Sequence, residues 1–220
     1  AVVFLTYVVL RSRQHAEPLI DLSLFQHRRF TSASIATFAF NLPVAGFWFS
    51  APLFMQTVWN WSVLKSGCSI MPTPVIIFLT ATISGRYSDR GWMKRIISSG
   101  MLLSGLGLFG LFVFLDENVR YFTHYFPFAV LYGIGLGLAW STLTGAALMG
   151  IDHEKFGIAN GTNLTFRQMG GAMGVAMVIA VSGVAGVAGS AAAFQRVWLA
   201  LALWVAVTLA FFTFAYPKDH

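Results

Sequence analysis

The chain has 220 residues, of which 57% are hydrophobic, 15% aromatic and only 10% charged, with 21 phenylalanines and a formal net charge of +6. A soluble domain of this length does not need so much apolar side chain, so composition overrides the prior of one or two globular domains. Cys68 is the single cysteine, which excludes an intrachain disulfide and a cysteine-based metal site; no aromatic–basic platform accompanies the positive charge to point to nucleic acid.

Apolar runs of about twenty residues recur along the chain, the length of a helix that spans a bilayer core. Runs this long and unalternating suit helices rather than barrel strands, because backbone polar groups in lipid must be satisfied within the segment. The fold class is all-α, a polytopic membrane helix bundle. In chain order, residues 1–10 ("AVVFLTYVVL") are too short to span and lack both a basic n-region and a cleavage site, so they read as the end of a truncated helix rather than a signal peptide. Segment 11–30 mixes Leu19, Ile20, Leu22, Leu24 and Phe25 with Asp21 and Arg28–Arg29, the pattern of an interfacial helix or an ordinary linker. Six spans follow within 31–216, over 31–55, 67–85, 96–115, 124–149, 165–187 and 197–216, and 217–220 is a tail. Pro72 and Pro74 predict a bend in the second span, and Pro43 and Pro52 can kink the first. Gly100, Gly105, Gly107 and Gly110, Gly133 and Gly137, and Gly170 and Gly174 sit at spacings that let helix backbones approach.

The cations alternate from one connector to the next. Segments 11–30, 86–95 and 150–167 and the tail together hold eleven Lys and Arg, against Lys65, Arg120 and Arg196 on the other side. The rich side is predicted to face the cytoplasm. Trp59 and Trp61 on the poor side suit a membrane–water interface.

Enzymatic chemistry finds no support. All five histidines lie in connectors or the tail, and no HExxH, GxSxG or paired-carboxylate pattern occurs, so no catalytic, cofactor or metal residue is assigned. A charge near a span is costly unless paired, snorkelling or facing water. Arg167 therefore has two readings: it snorkels from its helix end, or with Gln168 it stands at the inner mouth of a polar cavity, with Asn160 and Asn163 one and two turns earlier. The grouping of these polar residues favours a cavity or gate. Asn41 inside the first span, aromatic Trp48, and Gln56 near that span's end complete the candidates.

The connector "SGRYSDRGWMKRI" concentrates charge in an apolar chain. Gly85 would allow a tight turn, and Asp89 would lie favourably before the positive N-terminus of the next helix. Arg90, Lys94 and Arg95 can pair with Asp89 or with C-terminal carbonyls of a neighbouring helix. Orientation alone explains the cations but not Asp89.

With this pattern the chain resembles the major facilitator superfamily, whose cytoplasmic loop signature reads G-x-x-x-D-R-x-G-x-R-R. Gly91 stands one residue early here, while Gly85, Asp89, Arg90 and the Lys94–Arg95 pair keep their places. "EPLIDLSLFQHRRF", "PLFMQTVWNWSVLKSGCSIMP" and "GIANGTNLTFRQMGGAMGVA" are similar to stretches of the fourteen-span drug:proton antiporter branch (EmrB/QacA type), in the same order. The resemblance implies a C-terminal six-helix half preceded by the end of the eighth span. The proton-titrating carboxylate is then expected in the first half. It further implies a multi-pass inner-membrane secondary transporter exporting small apolar or cationic compounds against protons by alternating access. Its partners would be the substrate, protons, the bilayer and the N-terminal half. A metabolite or siderophore exporter and a non-transporting scaffold or sensor are the alternatives.

Overall fold

The computed structural model describes residues 22–87, 92–182 and 190–217. After a short 3-10 turn, Leu22–Gln26, the helices are α1 Arg28–Thr57, α2 Val63–Ile70, α3 Pro72–Tyr87, α4 Met93–Phe114, α5 Phe126–Leu148, α6 Phe156–Ser182 and α7 Ala191–Ala215. A π turn, Tyr121–Tyr125, leads into α5, and a 3-10 turn, His153–Lys155, leads into α6. No strand occurs among the described residues. Taking α2 and α3 as one bent span, six helices are long and apolar enough to cross a membrane.

Local chemistry accounts for the element ends. Ser62 caps α2, its hydroxyl accepting from the Lys65 N–H at 3.3 Å. Pro72 has no N–H to continue the ladder, so α2 stops at Ile70, Met71 turns, and α3 restarts at Pro72. α1, by contrast, runs unbroken through Pro43 and Pro52. Gly150, at φ 82, makes the left-handed turn after α5. Many hydroxyls inside the helices bond back one turn, as Thr37 Oγ1 does to the Ala33 carbonyl at 2.8 Å and Thr208 Oγ1 to Trp204 at 2.8 Å, whereas those of Thr142 and Thr162 do not. The residues that bond back carry no unmet donor into an apolar surrounding.

Several boundaries differ from those read in the sequence, among them the sixth span, which begins at Ala191 and not near 197. The fifth span begins at Phe156, not near 165, because the polar run Asn160–Asn163 continues the helix instead of connecting to it. Gly85 lies inside α3, two residues before its end at Tyr87, so it is not the turn residue. Of segment 11–30, residues 11–21 lie outside the described residues; Leu24 is fully buried and Arg28 already belongs to α1.

α1 is central, packing on α5, α6 and α7. α4 packs on α5 and α7, and α3 on α5. Glycine sets the closest approaches. A Cβ on Gly100 of α4 would lie 2.7 Å from the Gly135 oxygen of α5, and one on Gly107 would lie 2.7 Å from the Tyr132 nitrogen. Cβ atoms on Gly170 and Gly174 of α6 would land on the Phe38 and Leu42 carbonyl oxygens of α1. Lipid supplies no hydrophobic drive between helices, so backbone contact of this kind is what holds them together.

Side chains tie the remaining seams. Trp198 Nε1 donates to Ser50 Oγ at 3.2 Å and Trp204 Nε1 to the Ala39 carbonyl at 2.9 Å, joining α7 to α1. At the lysine-poor end, Trp59 Nε1 donates to the Asp116 carbonyl at 3.1 Å, and Gln195 Nε2 to Leu115 at 2.8 Å. Trp59 is buried at 5% exposure, edge-on to Phe54 and beside Trp61, so it pins connectors together rather than floating at an interface.

Candidate functional site

The polar residues of the spans converge where α1, α5 and α6 meet. Thr37, Phe40 and Asn41 from α1, Trp140, Leu143 and Thr144 from α5, and Arg167 from α6 line a cleft with about 10 Å³ of free volume. Arg167 lies eleven residues into α6, about 16 Å along its axis at a rise of 1.5 Å per residue. That is well inside the helix and not at its end. Its half-buried guanidinium sits over the Trp140 ring, 5.5 Å from the centroid. A partly desolvated cation–π contact of this kind is worth about 1 kcal/mol, which offsets part of the cost of a charge held away from water.

Asn41 and Arg167 meet through the backbone. Asn41 Nδ2 donates to the Arg167 carbonyl at 2.6 Å, so the amide fixes the helix that carries the guanidinium. One turn earlier, Asn163 is 3% exposed, and its Nδ2 donates to Ser34 Oγ at 3.2 Å and Thr37 Oγ1 at 3.3 Å. Asn163 is therefore an interhelical fastener beneath the cleft and does not face it. Asn160 and Gln168 are exposed on α6 and do not line the cleft. Trp48 stands two turns beyond Asn41, half-buried and edge-on to Phe47 at 5.9 Å. Gln56 lies fifteen residues from Asn41, about 22 Å along α1, and so outside the cleft.

The charged connector is described on both flanks, while Asp89 and Arg90 lie outside the described residues. Lys94 Nζ donates to the Tyr216 carbonyl at 2.7 Å, at the C-terminal end of α7, where a cation meets the negative helix pole. Arg95 is exposed, its guanidinium 5.5 Å from the Trp92 ring centroid. Ser84 Oγ, 1% exposed, lies 3.0 Å from Ser141 Oγ and joins α3 to α5 near this end.

Trp140, Thr37 and Ser34 carry no sequence signal for these roles. Trp140 looks like any aromatic in an apolar run, and Thr37 and Ser34 like any small hydroxyl residues. Their partners lie 27 to 129 residues away. The helix-period spacing of Ser34, Thr37 and Asn41 on α1 is the one signal that could have flagged Ser34 and Thr37.

Chemically the cleft offers a fixed positive charge with planar donors, an aromatic face, hydroxyls and an amide. No Asp or Glu occurs within α1–α7, so these helices carry no carboxylate to take up and release a proton. Among the described residues, no group of three His, Cys, Asp or Glu side chains could hold a metal ion.

Comparison with known proteins finds relatives named as transporters. The multidrug transporter protein MdtP of Bacillus subtilis is 28% identical over 176 residues, covering 80% of this chain and 32% of the relative. The multidrug resistance protein B homolog of Mycobacterium tuberculosis is 30% identical over 164 residues, covering 73% of this chain and 30% of the relative. The riboflavin transporter RibZ of Clostridioides difficile is 26% identical over 176 residues, covering 80% of this chain and 38% of the relative. The chain thus spans about a third of the length of these relatives. With six candidate spans it is a multi-pass membrane protein. The family model for the Major Facilitator Superfamily matches residues 2–175, most of the sequence, and the chain belongs to that family.

Proposed function

We propose that the chain is the C-terminal half of a proton-coupled exporter of small apolar or cationic compounds, a transporter and not an enzyme. The observation that carries this reading is the cleft of Asn41, Trp140 and Arg167, a polar and aromatic patch inside helices that are otherwise apolar. The helices flanking it support the assignment. α3 and α6 are the least buried of the spans, leaving Val75, Phe78, Leu79, Ile83, Met169 and Met173 open. The N-terminal half is the partner that would cover them, with the cleft as one wall of a central cavity. Alternating access then rocks this half against the other. The lysine- and arginine-rich side, with 11–30, 86–95, 150–160 and the C-terminus, is read as the cytoplasmic side of the inner membrane. There Asp89 and Arg90, flanked by Gly85 near the end of α3 and by Lys94 and Arg95 in the first turn of α4, act as a gating connector that stabilises one conformation. Because α1–α7 carry no carboxylate, the proton site belongs to the N-terminal half.

Arg167 favours a second reading. A guanidinium repels a cation and binds a carboxylate or carbonyl through two donors, which suits a metabolite carrying such a group. On the first reading, Arg167 is instead paired by a carboxylate of the other half, and the cation rests on the half-buried Trp48 ring.

The test is transport by the full-length protein in inverted vesicles energised by a proton gradient. Accumulation of ethidium, abolished by an uncoupler, is expected. Accumulation that survives the uncoupler would sink the coupling, and movement of a carboxylate-bearing metabolite in place of the dye would favour the second reading. Asp89→Asn should shift conformational populations in a distance measurement across the basic side; unchanged populations and transport would remove the gating role.

A further inference from the structure

We propose that the outer groove between α4 and α7 is a binding site for one anionic phospholipid of the leaflet on the arginine-rich side. Two hollows, of about 510 and 200 Å³, adjoin along this seam and share Leu102, Ala206 and Leu209. On α4, Arg95, Ser98, Ser99, Leu102, Leu106 and Phe109 recur at three- and four-residue spacing, so they share one helix face. The face is graded in polarity. Arg95 stands at the end, the hydroxyl residues Ser98, Ser99 and Thr213 border the larger hollow, and the smaller one is apolar throughout.

The length of the gradient identifies the occupant. From Ser98 to Phe109 the groove runs about 16 Å along α4, which is close to half of the ~30 Å hydrocarbon core, one leaflet deep. An acyl chain in the groove therefore starts at the hydroxyl collar and ends near the bilayer midplane. Its phosphate falls at the level of Arg95, which is exposed and oriented by Trp92, itself 55% exposed at the height where tryptophan anchors to headgroups. The negative end of α7 beside this position would repel a phosphate, but Lys94 already donates to the Tyr216 carbonyl there at 2.7 Å. Charge, polarity and depth thus all match a single lipid. A second protein copy would place two Arg95 side chains near one another instead. The groove is separate from the cleft on α1, α5 and α6 and shares only Arg95 with the proposed gate, and lipid retention is read without transport, so the two readings fail separately.

Native mass spectrometry of the full-length protein, given equal amounts of dioleoyl phosphatidylglycerol and dioleoyl phosphatidylcholine, tests the assignment. One retained phosphatidylglycerol is expected, preferred by about tenfold, the worth of one charge-assisted hydrogen bond. Ala206→Trp places an indole where the two hollows join, from an exposed position, and should abolish retention. Ala206→Leu, a smaller plug, should weaken it, and the lipid-free melting temperature of both variants should stay at the wild-type value. Arg95→Gln should lower the preference about tenfold while phosphatidylcholine retention is unchanged. Equal retention of the two lipids, wild-type retention by Ala206→Trp, or a protein dimer that Ala206→Trp dissociates would each overturn the proposal.

Discussion

Replacing Gly174 with alanine adds one methyl group to a 27-residue helix, yet it should be among the most damaging conservative changes available. The new Cβ would fall on the Leu42 carbonyl oxygen, with the carbonyl carbon 2.9 Å and the Cα 3.1 Å away. All of these are backbone atoms of α1, so no rotamer change relieves the overlap. Relief requires α6 to move outward by roughly 1 Å, since a carbon and a carbonyl oxygen settle near 3.3–3.6 Å. That movement stretches the bonds from Asn163 to Ser34 and Thr37, now 3.2 and 3.3 Å, beyond hydrogen-bonding range. Overpacking costs about 1–3 kcal/mol, and two interhelical bonds in a membrane add about 0.6 kcal/mol each. The expected loss is about 2–4 kcal/mol. Gly161→Ala on the same helix is the control, because a Cβ there meets nothing within 4 Å. Thermal unfolding of the full-length protein, followed by loss of the monodisperse peak after heating, should show Gly174→Ala melting well below wild type. Gly161→Ala should melt at or above it. If the two variants melt together, the backbone contact is not what holds α6 to α1.

Three further outcomes are expected. Arg167→Lys keeps the charge but loses the planar stack on Trp140 and should retain part of the transport that Arg167→Gln abolishes, as measured by vesicle uptake; equal activity of the two would remove the stack from the argument. Lys94→Met should weaken the end of α7 by about 0.3–1 kcal/mol, seen as faster amide exchange confined to residues near Tyr216. Asp116 has its carboxyl held below the usual 3.8, first by the Asn118 side-chain amide at 2.9 Å, then by the Asn118 backbone N–H and the charges of Arg120 and His124, against a desolvation effect that raises it. A lowered folded value means its small contribution is fully present above about pH 4 and is lost as pH falls through the folded value. Asp116→Asn should therefore flatten the acid limb of the melting curve without changing stability near pH 7 by more than a small amount.

The spans were legible in the sequence because their lengths and apolar runs are set by the bilayer and not by partners. Pro72 announced the break at Met71 for a similarly local reason. The start of the fifth span was misread because Asn160, Thr162 and Asn163 have the composition of a connector. Their polarity is met in part by Ser34 and Thr37 of α1, more than 120 residues earlier, and no local pattern encodes that. The candidate site was legible only in part. Asn41 and Arg167 stood out as polar residues in apolar surroundings, but their bond runs through the Arg167 backbone carbonyl, which every residue possesses. Trp140 gained its role indirectly: Gly100 and Gly107 seat α4 on α5, and Gly170 and Gly174 seat α6 on α1, contacts that a list of large residues does not reveal.

The glycine seams also bear on how force passes through this bundle. Where side chains separate two helices, a push on one is absorbed by rotamer changes and slight sliding. Where Gly100 meets Gly135, and Gly170 and Gly174 meet α1, rigid main chain touches rigid main chain and there is little slack to take up. A displacement of α4 or α6 is therefore expected to carry the neighbouring helix with it at these contacts and not to be taken up by side chains.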